Sequence, residues 1–257
     1  MNSDVHQWIY DLVYGKLSSK IEGYNPESEH KPFFTRIFTN DMVVTHSLVQ
    51  SFYTTFGMSI YEQIALKLAT SVGYEAERQY RLEGDIDMRT SQLIDEMWEH
   101  DKIHGSSDKL EQIKRIHDII YPARRAEVQH HSVVDLYIKR PDGEEFYIDI
   151  KTVKPNLGEL ESYKRKLLLW VGYRLSVERD AQVHTCIAIP YNPFHPKPYL
   201  KNLRGGMGSV LDAKNDILVQ QDFWNLVGGS ESVYDELLEI FEEVGTNIRS
   251  QIEAMFD

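Results

Sequence analysis

Two stretches near the middle of the chain alternate apolar and polar positions with a period of two. Val133 to Ile138 and Phe146 to Ile150 are both rich in Val, Ile, Tyr and Phe, the pattern of short strands. In the first, Val134, Leu136 and Ile138 share a face, opposite Val133, Asp135 and Tyr137. In the second, Phe146, Ile148 and Ile150 share a face, opposite Tyr147, Asp149 and Lys151. The residues between them read as a turn. Pro141 suits the first corner of a type I turn, Asp142 the second, and Gly143 the left-handed position of a bulge. A three-residue loop pairs Arg140 with Glu144, and the same register sets Asp135 directly opposite Asp149.

The rest of the chain is patterned mostly with helical periods. Residues 4–21 read as an amphipathic helix with Trp8, Ile9, Leu12, Val13 and Leu17 near one stripe. Gly23-Tyr24-Asn25-Pro26 breaks it, and the polar stretch to Pro32 reads as a loop. A helix over 41–55, capped by Asn40 or Asp41, precedes one over 58–72 that Gly73 ends. Glu62, Ala65, Leu66 and Ala69 lie on one side of the latter. Residues 75–82 form a strand, 88–101 and 108–120 two helices, and 158–178 a longer helix buried through Leu160, Tyr163, Leu167, Leu168, Val171 and Leu175. Val183 to Ile189 is a buried strand, 216–220 a last strand, and 230–256 an acidic helix. The order strand, strand, helix, strand predicts an α/β protein of mixed α+β character, a central mixed sheet flanked by helices. At 257 residues one elaborated domain is expected, with a helical N-terminal part (1–56), a core (57–220) and a C-terminal acidic helix (221–257).

The paired carboxylates add chemistry to the hairpin. Two like charges directly across a ladder destabilise a sheet, so their presence on an apolar hairpin points to a cation between them. A divalent metal fits: hard oxygen ligands, one or two carboxylates, the rest water and substrate phosphate. Lys151 projects to the same side and can orient a water or hold a phosphate oxygen. The layout is that of a phosphodiester-hydrolysing site with Asp135, Asp149 and the Ile150 carbonyl on the metal.

Charge qualifies this picture. The net charge of −12 opposes DNA binding, because duplex affinity comes largely from Lys and Arg on phosphates. Its distribution matters more than its sum. Residues 222–257 hold nine acidic residues and one basic, whereas 151–179 hold seven basic and three acidic. Lys164, Arg165 and Lys166 are expected on the exposed side of the 158–178 helix, the first two as DNA contacts. The Pro/Gly-rich stretch 190–211 is a candidate recognition segment: Arg204 suits a guanine edge, with Asn192, His195 and Lys201 as further candidates.

Other chemistries find little support. The lone Cys186 lies in an apolar strand and reads as a buried structural thiol compatible with a reducing cytoplasm. The ten histidines show no zinc-type spacing, and Gly205-Gly206-Met207-Gly208 is not followed by Lys-Ser or Lys-Thr, which excludes a Walker loop. No apolar run is long enough for a membrane helix, and residues 1–6 do not read as a signal peptide.

Asp135, followed after thirteen residues by Asp149-x-Lys151, resembles the Pro-Asp…(Asp/Glu)-x-Lys nuclease signature, with Val134 at the nominal proline. Upstream, Phe56-Gly57 followed by Glu62 at the start of an apolar helix is similar to type II restriction endonucleases. Together with Ser71-Val72-Gly73-Tyr74, Asn202-Leu203-Arg204-Gly205-Gly206 and Asp222-Phe223-Trp224 it most resembles their TdeIII-like family, over roughly residues 50 to 230. The resemblance implies a restriction-endonuclease-like fold and a Mg²⁺-dependent enzyme. It implies a homodimer that cuts both strands of double-stranded DNA at a short palindromic site, of GG…CC type, leaving 5′-phosphate ends. It implies Asp135 and Asp149 as metal ligands, Lys151 as the catalytic lysine, Glu62 as a helical glutamate near the metal, and Lys154 as a phosphate contact. A repair or junction-resolving nuclease, a non-catalytic DNA-binding protein on the same fold, and an α/β protein unrelated to nucleic acid remain the alternatives.

Overall fold

The expected hairpin lies at the centre of a mixed sheet. In the computed structural model, which describes residues 1–24, 32–120, 130–151, 154–203 and 210–254 apart from the Met58 side chain, five strands pair in chain order. They are β1 (Glu75–Gly84), β2 (His130–Lys139), β3 (Glu144–Ile150), β4 (Gln182–Ile189) and β5 (Ile217–Val219). β1–β2 and β2–β3 are antiparallel, β3–β4 and β4–β5 parallel. The hairpin register is the one the turn predicts: Leu136 faces Ile148 and Tyr137 faces Tyr147. Gly143 takes φ 94°, its N–H donates to the Arg140 carbonyl, and Arg140 N–H donates to the Glu144 carbonyl at 2.9 Å. The Asp142 carboxylate accepts from Glu144 N–H, which closes the turn.

The described residues divide into two compact units. The unit Ala65–Glu231 holds the sheet. A parallel step from β3 to β4 needs a crossover, and helix α7 (Leu157–Val177) supplies it. Asn156 and Glu159 form a reciprocal capping box that starts α7. Leu160, Leu167, Leu168, Trp170, Val171 and Leu175 of α7 are buried with Val134, Tyr137, Tyr147, Val183 and Ile187 of the sheet. Gly84 permits this approach, since a Cβ there would collide with the Tyr173 backbone. Helices α5 (Met88–His104) and α6 (Lys109–Ile119) add Ile94, Met97 and Ile116 to the same core. Truncating such a residue typically costs about 2–5 kcal/mol.

The unit formed by Met1–Ile64 and Ser232–Asp257 is helical. Helix α1 (Ser3–Glu22) buries Val5, Ile9, Val13, Leu17 and Ile21, a strict i, i+4 stripe. Ile9, Val13 and Leu17 of the expected stripe are thus buried, while Trp8 is exposed and Leu12 half-buried. The buried row faces α10 (Val233–Glu253), which buries Val233, Leu237, Ile240, Val244 and Ile248. Asn247 and Gln251 amides donate to the Tyr10 and Tyr14 hydroxyls across that contact. A short helix α2 (Phe34–Ile37) precedes α3 (Asn40–Thr55), whose cap is Thr39 rather than Asn40 or Asp41. A π-helical turn, Phe56–Ile60, then leads into α4 (Tyr61–Ser71), where one helix over 58–72 was expected.

Two further elements differ from expectation. The stretch 190–211 contains a short helix α8 (Tyr199–Asn202). The C-terminal region is two helices, α9 (Gln221–Gly228) and α10, parted at Gly229 with φ 66°. No helix among the described residues is long and apolar enough to cross a membrane.

Candidate active site

The register of β2 and β3 brings Asp135, Asp149 and Lys151 together. Asp149 lies at the floor with a side chain only 2% exposed, and Lys151 Nζ stands 2.9 Å from its Oδ2. The same ammonium is 3.9 Å from Asp135 Oδ2. Asp135 also accepts the Ile150 N–H at 2.8 Å, which ties the two strands at the point where the ladder ends. Burial pushes the Asp135 carboxyl up to about 6; the negative charge of Asp149 adds to that and Lys151 opposes it.

Helix α7 closes the site from the side. Lys166 Nζ donates to Asp149 Oδ2 at 3.0 Å and lies over the Trp170 ring. Lys151 lies over the Tyr163 ring. Burial, with the charges of Glu159, Asp149 and Asp135, pushes the Tyr163 phenol up to about 12. Tyr163 is therefore a protonated hydroxyl at neutral pH. Lys166 is a site residue that reasoning from the sequence placed on the exposed side of the helix. The available signal was its i+3 spacing from Tyr163, which puts both on one face of α7.

Across the sheet, Arg78 and Tyr80 pair with Leu136 and Val134, and the residue between them, Gln79, adopts φ 52° opposite Asp135. A non-glycine residue in the left-handed region is uncommon and concentrates at functional sites. No sequence pattern marked it.

The expected DNA contacts fare unevenly. Lys164 is fully buried, donating to Asp216 Oδ2 at 2.6 Å and Gln112 Oε1 at 2.8 Å, with Asp101 Oδ2 at 3.3 Å. An ammonium enclosed in this way has no surface for a phosphate, so the exposed-side assignment of Lys164 is corrected. The reason is geometric: Lys164 follows Tyr163 on the flank of α7 that α5 and α6 cover. Arg165 is half-buried and paired with Asp95 at 2.7 Å. Asn192 uses its side chain within the loop, accepting Phe194 N–H and donating to the Lys197 carbonyl. His195 and Lys201 are exposed, and Lys154 is exposed with Nζ 5.6 Å from the Phe194 ring centroid. Arg204 falls outside the described residues. Glu62 belongs to the helical unit, buried in the first turn of α4. Cys186 is buried, and burial pushes its thiol up to about 12.

A divalent cation fits this donor set on one observation. Asp149 Oδ2 is taken by two lysines, yet Asp149 Oδ1 is buried and has no hydrogen-bond partner. An orphaned carboxylate oxygen is costly, and its presence calls for an explanation such as an ion. Asp135, held part-way to its neutral form by burial and by Asp149, would gain from the same charge. Among the described residues no cluster of three or more His, Cys, Asp or Glu side chains that could hold a metal is found.

A mixed five-stranded sheet flanked by helices, with two carboxylates and a lysine on adjacent central strands, is a restriction-endonuclease-like nuclease fold. The chain belongs to the family of type II restriction endonucleases represented by HinfI, matching it over residues 1–245. It is 28% identical to the type II restriction enzyme HgiCII of Herpetosiphon aurantiacus, over 92% of this chain and 85% of that one. It is 27% identical to HgiEI of the same organism, over 95% and 90%. It is 23% identical to MjaII of Methanocaldococcus jannaschii, over 95% and 62%. The restriction class inferred from the sequence holds, while the TdeIII-like label is not confirmed. The match also takes in the residues before position 50, which the motifs left unplaced. The protein is thus a DNA-cleaving hydrolase of a class that generally needs a divalent metal.

Proposed function

We propose that this enzyme hydrolyses both strands of a short palindromic DNA site as a homodimer in the cytoplasm, using Mg²⁺ and leaving 5′-phosphate ends. A GG…CC-type site is the specificity the sequence resemblance favours. The buried Asp149 Oδ1, which has no hydrogen-bond partner, carries the reading. Asp149, Asp135 and the Ile150 carbonyl would hold the cation. When bound, it would polarise the scissile phosphate and activate a water for attack.

The chain's own residues supply the rest. Lys151, 2.9 Å from Asp149 and 23% exposed, is placed to hold a phosphate oxygen and offset the charge that develops on it. Lys166 fixes the orientation of Asp149 from the helix side. The Asp135 hydrogen bond to Ile150 N–H keeps the two strand ends together, so the ligands are held before substrate arrives. Tyr163 acts as a donor rather than a base, because its phenol stays protonated.

Incubation with phage DNA tests this. Discrete fragments with Mg²⁺ and intact DNA with EDTA are expected, and ligation of the products should require no added kinase. A smear, or cleavage that survives EDTA, would count against it.

A further inference from the structure

Helix α3 is an apolar helix that buries little of itself. Leu48 is its one buried residue, while Met42, His46, Val49 and Tyr53 are exposed. These four follow one another at intervals of four, three and four residues, which places them in a single stripe. It is the spacing by which one helix packs along another. The stripe continues forward into α2. Phe34, Phe38, Met42, Val43 and His46 line an apolar groove of about 450 Å³. Phe33 is 82% exposed and Ile37 73%.

Area and charge together say what covers this face. Aromatic side chains bury roughly 150–250 Å² each when covered, and the aliphatic ones somewhat less. Seven large side chains here, Phe33 to Tyr53, are exposed by two-fifths or more. They offer on the order of 700 Å², close to the ~800 Å² that each partner gives a stable interface and above the largest patch of a typical monomer. The charge of residues 32–56 is balanced, Arg36 against Asp41, in a chain whose net charge is −12. Two copies of the chain repel over most of their surface and least at this face.

We propose that this face docks a second copy of the chain, α3 against α3 across a two-fold axis. A two-fold contact presents one patch to itself, which a neutral apolar stripe satisfies and a −12 surface does not. DNA would ask instead for a row of cations that the stripe lacks. The inference rests on the homodimer reading above and assigns its surface.

Sedimentation velocity on the full chain at micromolar concentration, without DNA or metal, tests it. The wild type is expected as a dimer. Val49→Glu and Tyr53→Glu should weaken association about a hundredfold or more, with an unchanged circular dichroism spectrum. A wild-type monomer would overturn both this surface and the homodimer reading. A dimer that persists in Val49→Glu would overturn the surface alone. Should the glutamate variants not fold, Val49→Cys treated with a short bis-maleimide decides. A covalent dimer is expected there and none in the wild type, whose single Cys186 is buried; no cross-linked dimer from the variant overturns the proposal.

Discussion

Two clusters of lysine and aspartate lie in the sheet-bearing unit, and they are built to opposite ends. Around Asp216, every group is closed in: Lys109 and Lys164 donate to its two oxygens at 2.6 Å each, and Asp212 N–H donates to it as well. Asp101 completes the cluster, held by Gln112, Ser107 and Lys164. Two ammonium groups balance two carboxylates with almost no exposure. Burial alone would raise Asp216, but Lys109 and Lys164 hold it below the ordinary carboxylate value. Around Asp149 the composition is similar, two carboxylates and two lysines, yet one oxygen has no partner and Asp135, Lys151 and Lys166 reach solvent. Composition does not separate the two clusters; an unfilled acceptor beside groups that reach solvent does.

Removing the central aspartate from each cluster should break different things. Asp149→Ala is expected to reduce cleavage by about a thousandfold or more, since it removes the floor of the proposed metal site. Its melting temperature should stay within a few degrees of wild type, because the lysines it releases can reach water. Single-turnover cleavage and a thermal melt on the same preparation check both parts. Cleavage within tenfold of wild type would remove Asp149 from the chemistry.

Asp216→Asn should do the reverse. It leaves two buried ammonium groups short of a counter-charge, a loss of about 3–5 kcal/mol. A drop in the denaturant midpoint with no change of slope is the expected signature. An unaltered midpoint would show that the closed cluster does not hold α6, α7 and β5 together.

How far the sequence exposes this contrast differs between the clusters. The hairpin was legible because a period-two pattern and a Pro-Asp-Gly turn leave one register, and a register fixes which side chains meet. Lys164 and Lys166 were not legible. They are two residues apart on one helix with the same charge, and which is enclosed depends on α5 and α6, which no local pattern encodes. The acidic helix after Gly228-Gly229 was legible from that pair, whereas the short helix α9 before it, only eight residues long, carries too few turns to show a period. In α1 only Trp8 and Leu12 leave the expected stripe: both are apolar, but the i, i+4 row from Val5 to Ile21 is the one that faces α10.

The difference in unfilled acceptors predicts a difference in response to a cation. Mg²⁺ should stabilise the wild type by roughly 2.7 kcal/mol at a hundred times its dissociation constant, and Asp149→Ala not at all. A thermal shift that survives Asp149→Ala would move the metal elsewhere. Lys166→Ala should be milder, a loss of about ten- to a hundredfold in activity or metal affinity, as for other residues that orient a ligand. Lys166→Arg should recover part of it, and the titration of Mg²⁺ against cleavage rate distinguishes orientation from folding.

The smallest effect is in the pH dependence of stability, where the two clusters should carry opposite signs. Asp135 has an ordinary value of 3.8 in the unfolded chain and about 6 in the fold. Between those values the folded protein holds a proton that the unfolded chain has released, so stability falls as pH rises through the window. Asp135→Asn retains an acceptor for Ile150 N–H and removes the buried charge. It should stabilise the metal-free protein at pH 7 by of order 1–2 kcal/mol, allowing for the carboxylate's partial exposure, and by little below pH 4. Asp216 runs the other way: its pKa is depressed, so its contribution is present above 3.8 and is lost as pH falls through the folded value. The penalty of Asp216→Asn should therefore shrink on acidification while the gain of Asp135→Asn disappears. Melting curves of both variants from pH 8 down to about pH 2 without metal would show the Asp135→Asn difference closing between about 6 and 3.8 and the Asp216→Asn difference closing only below 3.8; parallel curves would mean that burial, not charge, sets both.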